Sequence, residues 1–144
     1  MASTHVAHDC LVGDNVIMSN LATLGGHVQI GNWAILGGGV LVHQFTQIGE
    51  HSLIGGGFRA VQDVPPFIIA ANHPLEYKGV NIVGLKRRGF SKKDIDSIKK
   101  VYRWFFRSGG NRKTAIEKIE SEFPKTKVIQ KILDFIKHSN RGII

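Results

Sequence analysis

Near its start the chain reads His5-Val6-Ala7-His8-Asp9-Cys10. Two imidazoles three apart, a carboxylate and the only cysteine allow three chemistries. A histidine takes up a proton as a general base near neutral pH, and a neighbouring carboxylate can orient it. Imidazoles also ligate zinc. A thiol attacks a carbonyl when it is exposed among positive charges. Which of these the chain supports depends on the direction of each side chain.

A repeat of six sets that direction. Every sixth residue is apolar: Val6, Val12, Met18, Leu24, Ile30, Leu36, Val42, Ile48, Ile54 and Ala60. Two positions earlier stand small or apolar residues such as Cys10, Val16, Ala22 and Ala34. One position later glycine is frequent, as at Gly13, Gly25, Gly31, Gly37, Gly49 and Gly55, which suggests corners with unusual backbone angles. A period of six belongs to the parallel β-helix, in which each hexad makes one short strand and one corner. Three hexads close a triangular coil, so residues eighteen apart stack at about 4.8 Å. At Asp63-Val64-Pro65-Pro66 the repeat stops, because paired prolines cannot donate to a ladder.

The predicted architecture is mainly β plus α. Residues 1–66 form the β-helix, residues 67–90 a connecting loop, and residues 91–144 a small helical domain. Ser91 with Asp94 caps a first helix that Gly109-Gly110 stops. Thr114 with Glu117 starts a second, ended by Pro124, and a third runs from about Lys127 to His138.

The register then sorts the opening residues. Cys10 falls in the inward phase and packs as core. His8 falls on a corner; eighteen residues on stands Gly26, and eighteen further Gln44. His8, Gly26-His27 and His43-Gln44 therefore stack on one ridge, with His5 beside it, while His51, His73 and His138 lie elsewhere. An isolated surface histidine needs no explanation, but a ridge of four does. The ridge suits a general base acting on a hydroxyl that attacks an acyl carbonyl, with a backbone N–H one coil above for the oxyanion. Glycine at 26 permits the close approach. Zinc held by three imidazoles, as in hexapeptide-repeat carbonic anhydrases, lacks a third histidine at the required spacing. No metal and no cofactor are expected.

Charge divides the chain. Residues 1–62 hold Arg59 against Asp9, Asp14 and Glu50, while residues 63–144 hold the other eighteen cations against eight acids. The basic half calls for an anionic partner. No nucleic-acid motif accompanies it. A single cysteine, the absence of a signal-peptide pattern and the absence of a long apolar run predict a cytoplasmic protein without stable membrane insertion.

The stretches "HVAHDC", "ATLGGHV", "AILGGGVLVHQF", "VQDVPPFIIA", "GVNIVGLKRRGF" and the closing "RGII" resemble the bacterial UDP-N-acetylglucosamine O-acyltransferases, which start lipid A synthesis. That resemblance implies a left-handed β-helix, a helical C-terminal domain and a homotrimer with clefts between subunits. It implies transfer of a 3-hydroxyacyl group from acyl carrier protein to the 3-hydroxyl of UDP-N-acetylglucosamine. By the same resemblance His8 is the base, Asp9 helps to orient it, and Gly26 donates the oxyanion N–H. His5, His27, His43 and Gln44 contact the sugar nucleotide, Asn81, Arg87 and Arg88 grip its nucleotide part, and Gly56 leaves room for a long acyl chain. Val83 stands where relatives carry an acid. Family members have further coils ahead of the residue matching Met1, so the chain resembles the C-terminal part of the enzyme. The alternatives are the N-acyltransferase of the same pathway, or a non-catalytic scaffold or inactive fragment.

Overall fold

A computed structural model describes residues 1–109 and 111–144. The chain winds as a left-handed parallel β-helix followed by helices. One sheet stacks β1 (His5–Val6), β4 (Thr23–Leu24), β7 (Leu41–Val42) and β10 (Arg59–Ala60). A second stacks β2 (Leu11–Val12), β5 (Gln29–Ile30) and β8 (Gln47–Ile48). The third stacks β3 (Ile17–Met18), β6 (Ile35–Leu36), β9 (Leu53–Ile54), β11 (Ile68–Ala71) and β12 (Glu76–Val80). His5 pairs with Thr23 and Leu11 with Gln29, the eighteen-residue register that the hexads predict.

The repeat residues fill the prism. Ala22, Leu24, Val28, Leu36, Val40, Ile54 and Ala60 are fully buried. In the first of these coils Val6 is 49% and Val12 43% exposed. Each buried aliphatic side chain is worth about 1.5–3 kcal/mol relative to exposure, so the stacked inward residues are a main source of stability.

The recurrent glycines have a different cause from the one expected. Positive φ falls on the second residue of each corner, at Asp9, Leu21, His27, Trp33, Phe45 and His51 among others, and not at Gly25, Gly31 or Gly37. A β-carbon on Gly25 would lie 2.7 Å from the Gln44 nitrogen, and one on Gly31 would lie 2.5 Å from that of Glu50. These glycines are bare because the next coil passes directly over them.

Residues 67–90 are not a loop. Val64 bridges Ile48, and β11 pairs beside β9 with Ile69 opposite Leu53, so the last coil is two residues shorter than the others. The shortening falls between Ala60, still eighteen residues from its partner Val42, and Val64, ahead of the prolines, and the ladder resumes beyond them. Antiparallel β12 closes the sheet edge, and α1 (Ile82–Arg87) follows.

Ser91 caps α2 (Lys92–Arg107), accepting from the Asp94 N–H at 3.1 Å. Gly109 follows its C-terminus at φ 69, a left-handed stop; Gly110 lies outside the described residues. The next helix, α3 (Arg112–Glu122), is capped by Asn111 rather than Thr114. The Asn111 amide oxygen accepts from the Lys113 and Thr114 N–H groups, so Thr114 lies within the first turn. α4 (Lys127–His138) begins after Thr126, as expected. Buried Ile95, Ile98, Tyr102, Ile132 and Ile136 join these helices to the end of the prism, and the Tyr102 hydroxyl donates to the Pro66 carbonyl at 2.7 Å.

Asp63 locks the two parts together. It is fully buried, and its carboxylate accepts from the Gln47 N–H at 2.8 Å and the Ser139 hydroxyl at 2.6 Å. Its N–H donates to the Gly142 carbonyl at 2.8 Å, which returns the C-terminal segment to the β-helix.

Candidate active site

A β-helix corner turns the chain through two residues and directs their side chains away from the packed interior. One edge of the prism stacks the pairs His8-Asp9, Gly26-His27 and Gln44-Phe45. The coils are joined there by the His27 N–H donating to the His8 carbonyl and the Phe45 N–H to that of Gly26, each at 3.0 Å.

The His8 imidazole lies on Gly26. A β-carbon there would fall 2.7 Å from His8 Cε1 and 2.8 Å from Nε2. His8 Nδ1 is 3.0 Å from the Asp9 carboxylate. The same carboxylate oxygen lies 3.7 Å from His27 Nε2, so Asp9 stands between the two imidazoles. The rings of His8 and His27 meet edge to face at 5.1 Å, and Phe45 stacks flat on His27 at 4.7 Å. Among the described residues the Gly26 N–H donates to no acceptor. An imidazole with Nδ1 held by a carboxylate keeps Nε2 as the proton acceptor, and a spare amide lies next to it.

The ridge is narrower than the sequence implies. His5 belongs to β1, flanking the corner, and His43 stands one residue before it, with Nδ1 3.2 Å from the Gln44 carbonyl oxygen. Cys10 is half-buried and donates weakly to the Gly25 carbonyl at 3.1 Å, so it serves packing as expected.

The other predicted residues gather elsewhere. Asn81 is buried with both ends of its amide engaged. Its oxygen accepts from the Gly84 N–H at 3.3 Å, and its nitrogen donates to the His51 carbonyl at 3.0 Å. It therefore caps α1 and ties that helix to the edge formed by Asn32-Trp33 and Glu50-His51. Arg88, just past α1, places its guanidinium 5.3 Å from the Trp33 ring centroid and 3.3 Å from His51 Nδ1. Arg87 is exposed beside it. Gly56 sits on the third edge, where a β-carbon would lie 3.1 Å from the Gly38 carbonyl oxygen.

His51 is the residue that the sequence reading passed over. It packs among Trp33, Phe67 and Phe90. Burial, reinforced by the charges of Arg88 and Lys131, lowers its pKa to about 4. It is a neutral acceptor for Arg88. Applied to Trp33, the eighteen-residue step leads to His51, so the signal was present in the repeat.

The sequence profile of "Udp N-acetylglucosamine O-acyltransferase; Domain 2" matches residues 63–144, more than half of the chain. The chain belongs to this family. It is 47% identical to the acyl-[acyl-carrier-protein]–UDP-N-acetylglucosamine O-acyltransferase of Aliivibrio salmonicida, over 99% of this chain and 54% of that protein. It is 43% identical to the enzyme of the same name from Thiobacillus denitrificans, over all of this chain and 56% of that protein. The UDP-N-acetylglucosamine acyltransferase structure from Bacteroides fragilis superposes with a TM-score of 0.95 at 44% identity, covering 99% of this chain and 56% of that one. This O-acyltransferase family member thus spans about half the length of the curated relatives it matches.

Proposed function

We propose that the chain carries the catalytic edge of an acyl-carrier-protein-dependent O-acyltransferase that moves a 3-hydroxyacyl group to the 3-hydroxyl of UDP-N-acetylglucosamine, the first step of lipid A synthesis. The contact between the His8 ring and Gly26, with Nδ1 held by Asp9, carries this reading. His8 Nε2 removes the proton from the sugar hydroxyl as its oxygen attacks the thioester carbonyl. The Gly26 N–H receives the negative charge forming on the carbonyl oxygen. Collapse of the tetrahedral intermediate expels the carrier thiolate, which recovers the proton from His8. No covalent enzyme intermediate is required. The names of the relatives supply the two substrates.

Arg87 and Arg88 supply charge for the diphosphate, because a guanidinium presents a planar fork to phosphate oxygens. His5, His27, His43 and Gln44 border the sugar, and Asn81 holds α1 so that the arginines face outward. Gly56 leaves room for a long acyl chain. The histidine edge and the arginine edge are different edges of one prism. A homotrimer in which one subunit's histidine edge faces its neighbour's arginine edge unites them. The basic second half attracts the acidic carrier protein. No helix among the described residues is long and apolar enough to cross a membrane, and a cytoplasmic reaction fits both substrates.

The test mixes 3-hydroxyacyl carrier protein with UDP-N-acetylglucosamine. It uses this chain and a chimera carrying the remaining length of a relative. Loss of a general base costs about 10²–10⁴-fold. A His8→Ala protein as fast as the parent refutes the assignment. A donor series reports chain length, and preference for a ten-carbon chain overturns the role of Gly56.

A further inference from the structure

We propose that His8, Asp9 and His27 form a binding site for a borderline transition-metal cation, zinc in particular, and that occupancy switches the edge off. The binding stands on geometry alone; the switching rests on the proposed role of His8.

The three side chains offer one ligand atom each, all within 4.8 Å of one another. The separation from the Asp9 oxygen is 3.0 Å to His8 Nδ1 and 3.7 Å to His27 Nε2. Zinc bonds of about 2.0–2.2 Å at the tetrahedral angle place neighbouring ligands about 3.4 Å apart, between those two distances. Two imidazoles and a carboxylate form a donor set that zinc accepts, leaving a fourth position for water.

The ligands are also held in place. Asp9 and His27 both occupy the second position of a corner at φ 59, one coil above the other, and Phe45 is stacked against the His27 ring. The bare Gly26 leaves the His8 ring its space. The negative charge of Asp9 has no Lys or Arg in salt-bridge range among the described residues. The edge with Glu50 and His51 differs, since Lys131 lies 3.0 Å from the Glu50 carboxylate and would repel a cation. Among the described residues no other trio of such ligands comes together.

Coordination through Nδ1 dictates the tautomer. A neutral imidazole that gives its Nδ1 lone pair to a metal carries its proton on Nε2. The proton that Nδ1 shared with Asp9 thus moves to Nε2, the atom that must accept the substrate's proton. The cation and the base function exclude each other with no change in the fold.

Cobalt(II) titration of the purified chain is the test, because four-coordinate cobalt absorbs visible light intensely. The expected result is one saturable site per chain, competed by zinc. Asp9→Asn and His27→Asn keep a residue that tolerates positive φ, and each is expected to weaken binding about tenfold or more. His138→Gln, on the exposed end of α4, is expected to leave binding unchanged. No saturable site, or a site indifferent to both substitutions, overturns the proposal. Transfer by chelator-treated protein separates the two ideas. Metal binding without dependence of transfer on His8 leaves the site and removes its switching role. Transfer dependent on His8 without cobalt binding leaves the enzyme and removes the site.

Discussion

The imidazole of His8 rests on Gly26 so closely that a β-carbon on residue 26 would fall 2.7 Å from His8 Cε1. Gly26 does not have positive φ, so alanine there strains no backbone angle. Gly26→Ala is therefore expected to act through His8 alone. Transfer should fall about as far as in His8→Ala, within roughly 10²–10⁴-fold, while the thermal midpoint stays near that of the parent. A fully active Gly26→Ala chain would show that the contact is incidental.

The separation of the two edges makes a prediction about assembly. Arg88 belongs with Trp33 and His51, not with His8. If the site spans two subunits, His8→Ala and Arg88→Ala chains are each inactive but complement when co-expressed. Random mixing gives an intact cleft in about one quarter of positions for a cyclic trimer. Recovery near that level in size-selected trimers supports the shared cleft, and no recovery refutes it.

His51 links stability to pH. Its folded pKa is about 4 against an ordinary 6.5, lowered first by burial and then by Arg88 and Lys131. Glu50 lies 3.7 Å from its Nε2, but Lys131 pairs with that carboxylate. Between those two pKa values the unfolded chain binds a proton that the native chain refuses. The contribution of His51 is complete above about pH 6.5 and is lost as pH falls towards 4. Urea midpoints measured across this window should drop more steeply in the parent than in His51→Gln. Parallel curves would remove the linkage.

Asp63 should dominate the junction between β-helix and helices. Asp63→Ala strands the Gln47 N–H and the Ser139 hydroxyl, both of which it now satisfies. Donors left unpaired in the interior cost about 1–3 kcal/mol each, so a loss of about 2–6 kcal/mol is expected by chemical denaturation. Amide exchange should rise first at Asp63 and Ile144, whose N–H groups hold the C-terminal segment. A loss below about 1 kcal/mol would place the lock elsewhere.

The hexads alone determined the solenoid, because a buried phase of six and a coil of eighteen are written in the spacing of aliphatic residues. They also put His8, Gly26 and Gln44 on one edge, since vertical stacking follows from counting. Counting could not show which residue of each corner takes the left-handed conformation, so it read the glycines as corner residues when the next coil passes over them. It missed β11 and β12 because the last coil is two residues shorter and breaks the count. The bridge from Asp9 to His27, the capping role of Asn81 and the burial of His51 and Asp63 came only with the tertiary structure. Each depends on side chains from separate coils or from the C-terminal segment meeting in space, and hydrophobic period carries no record of such meetings.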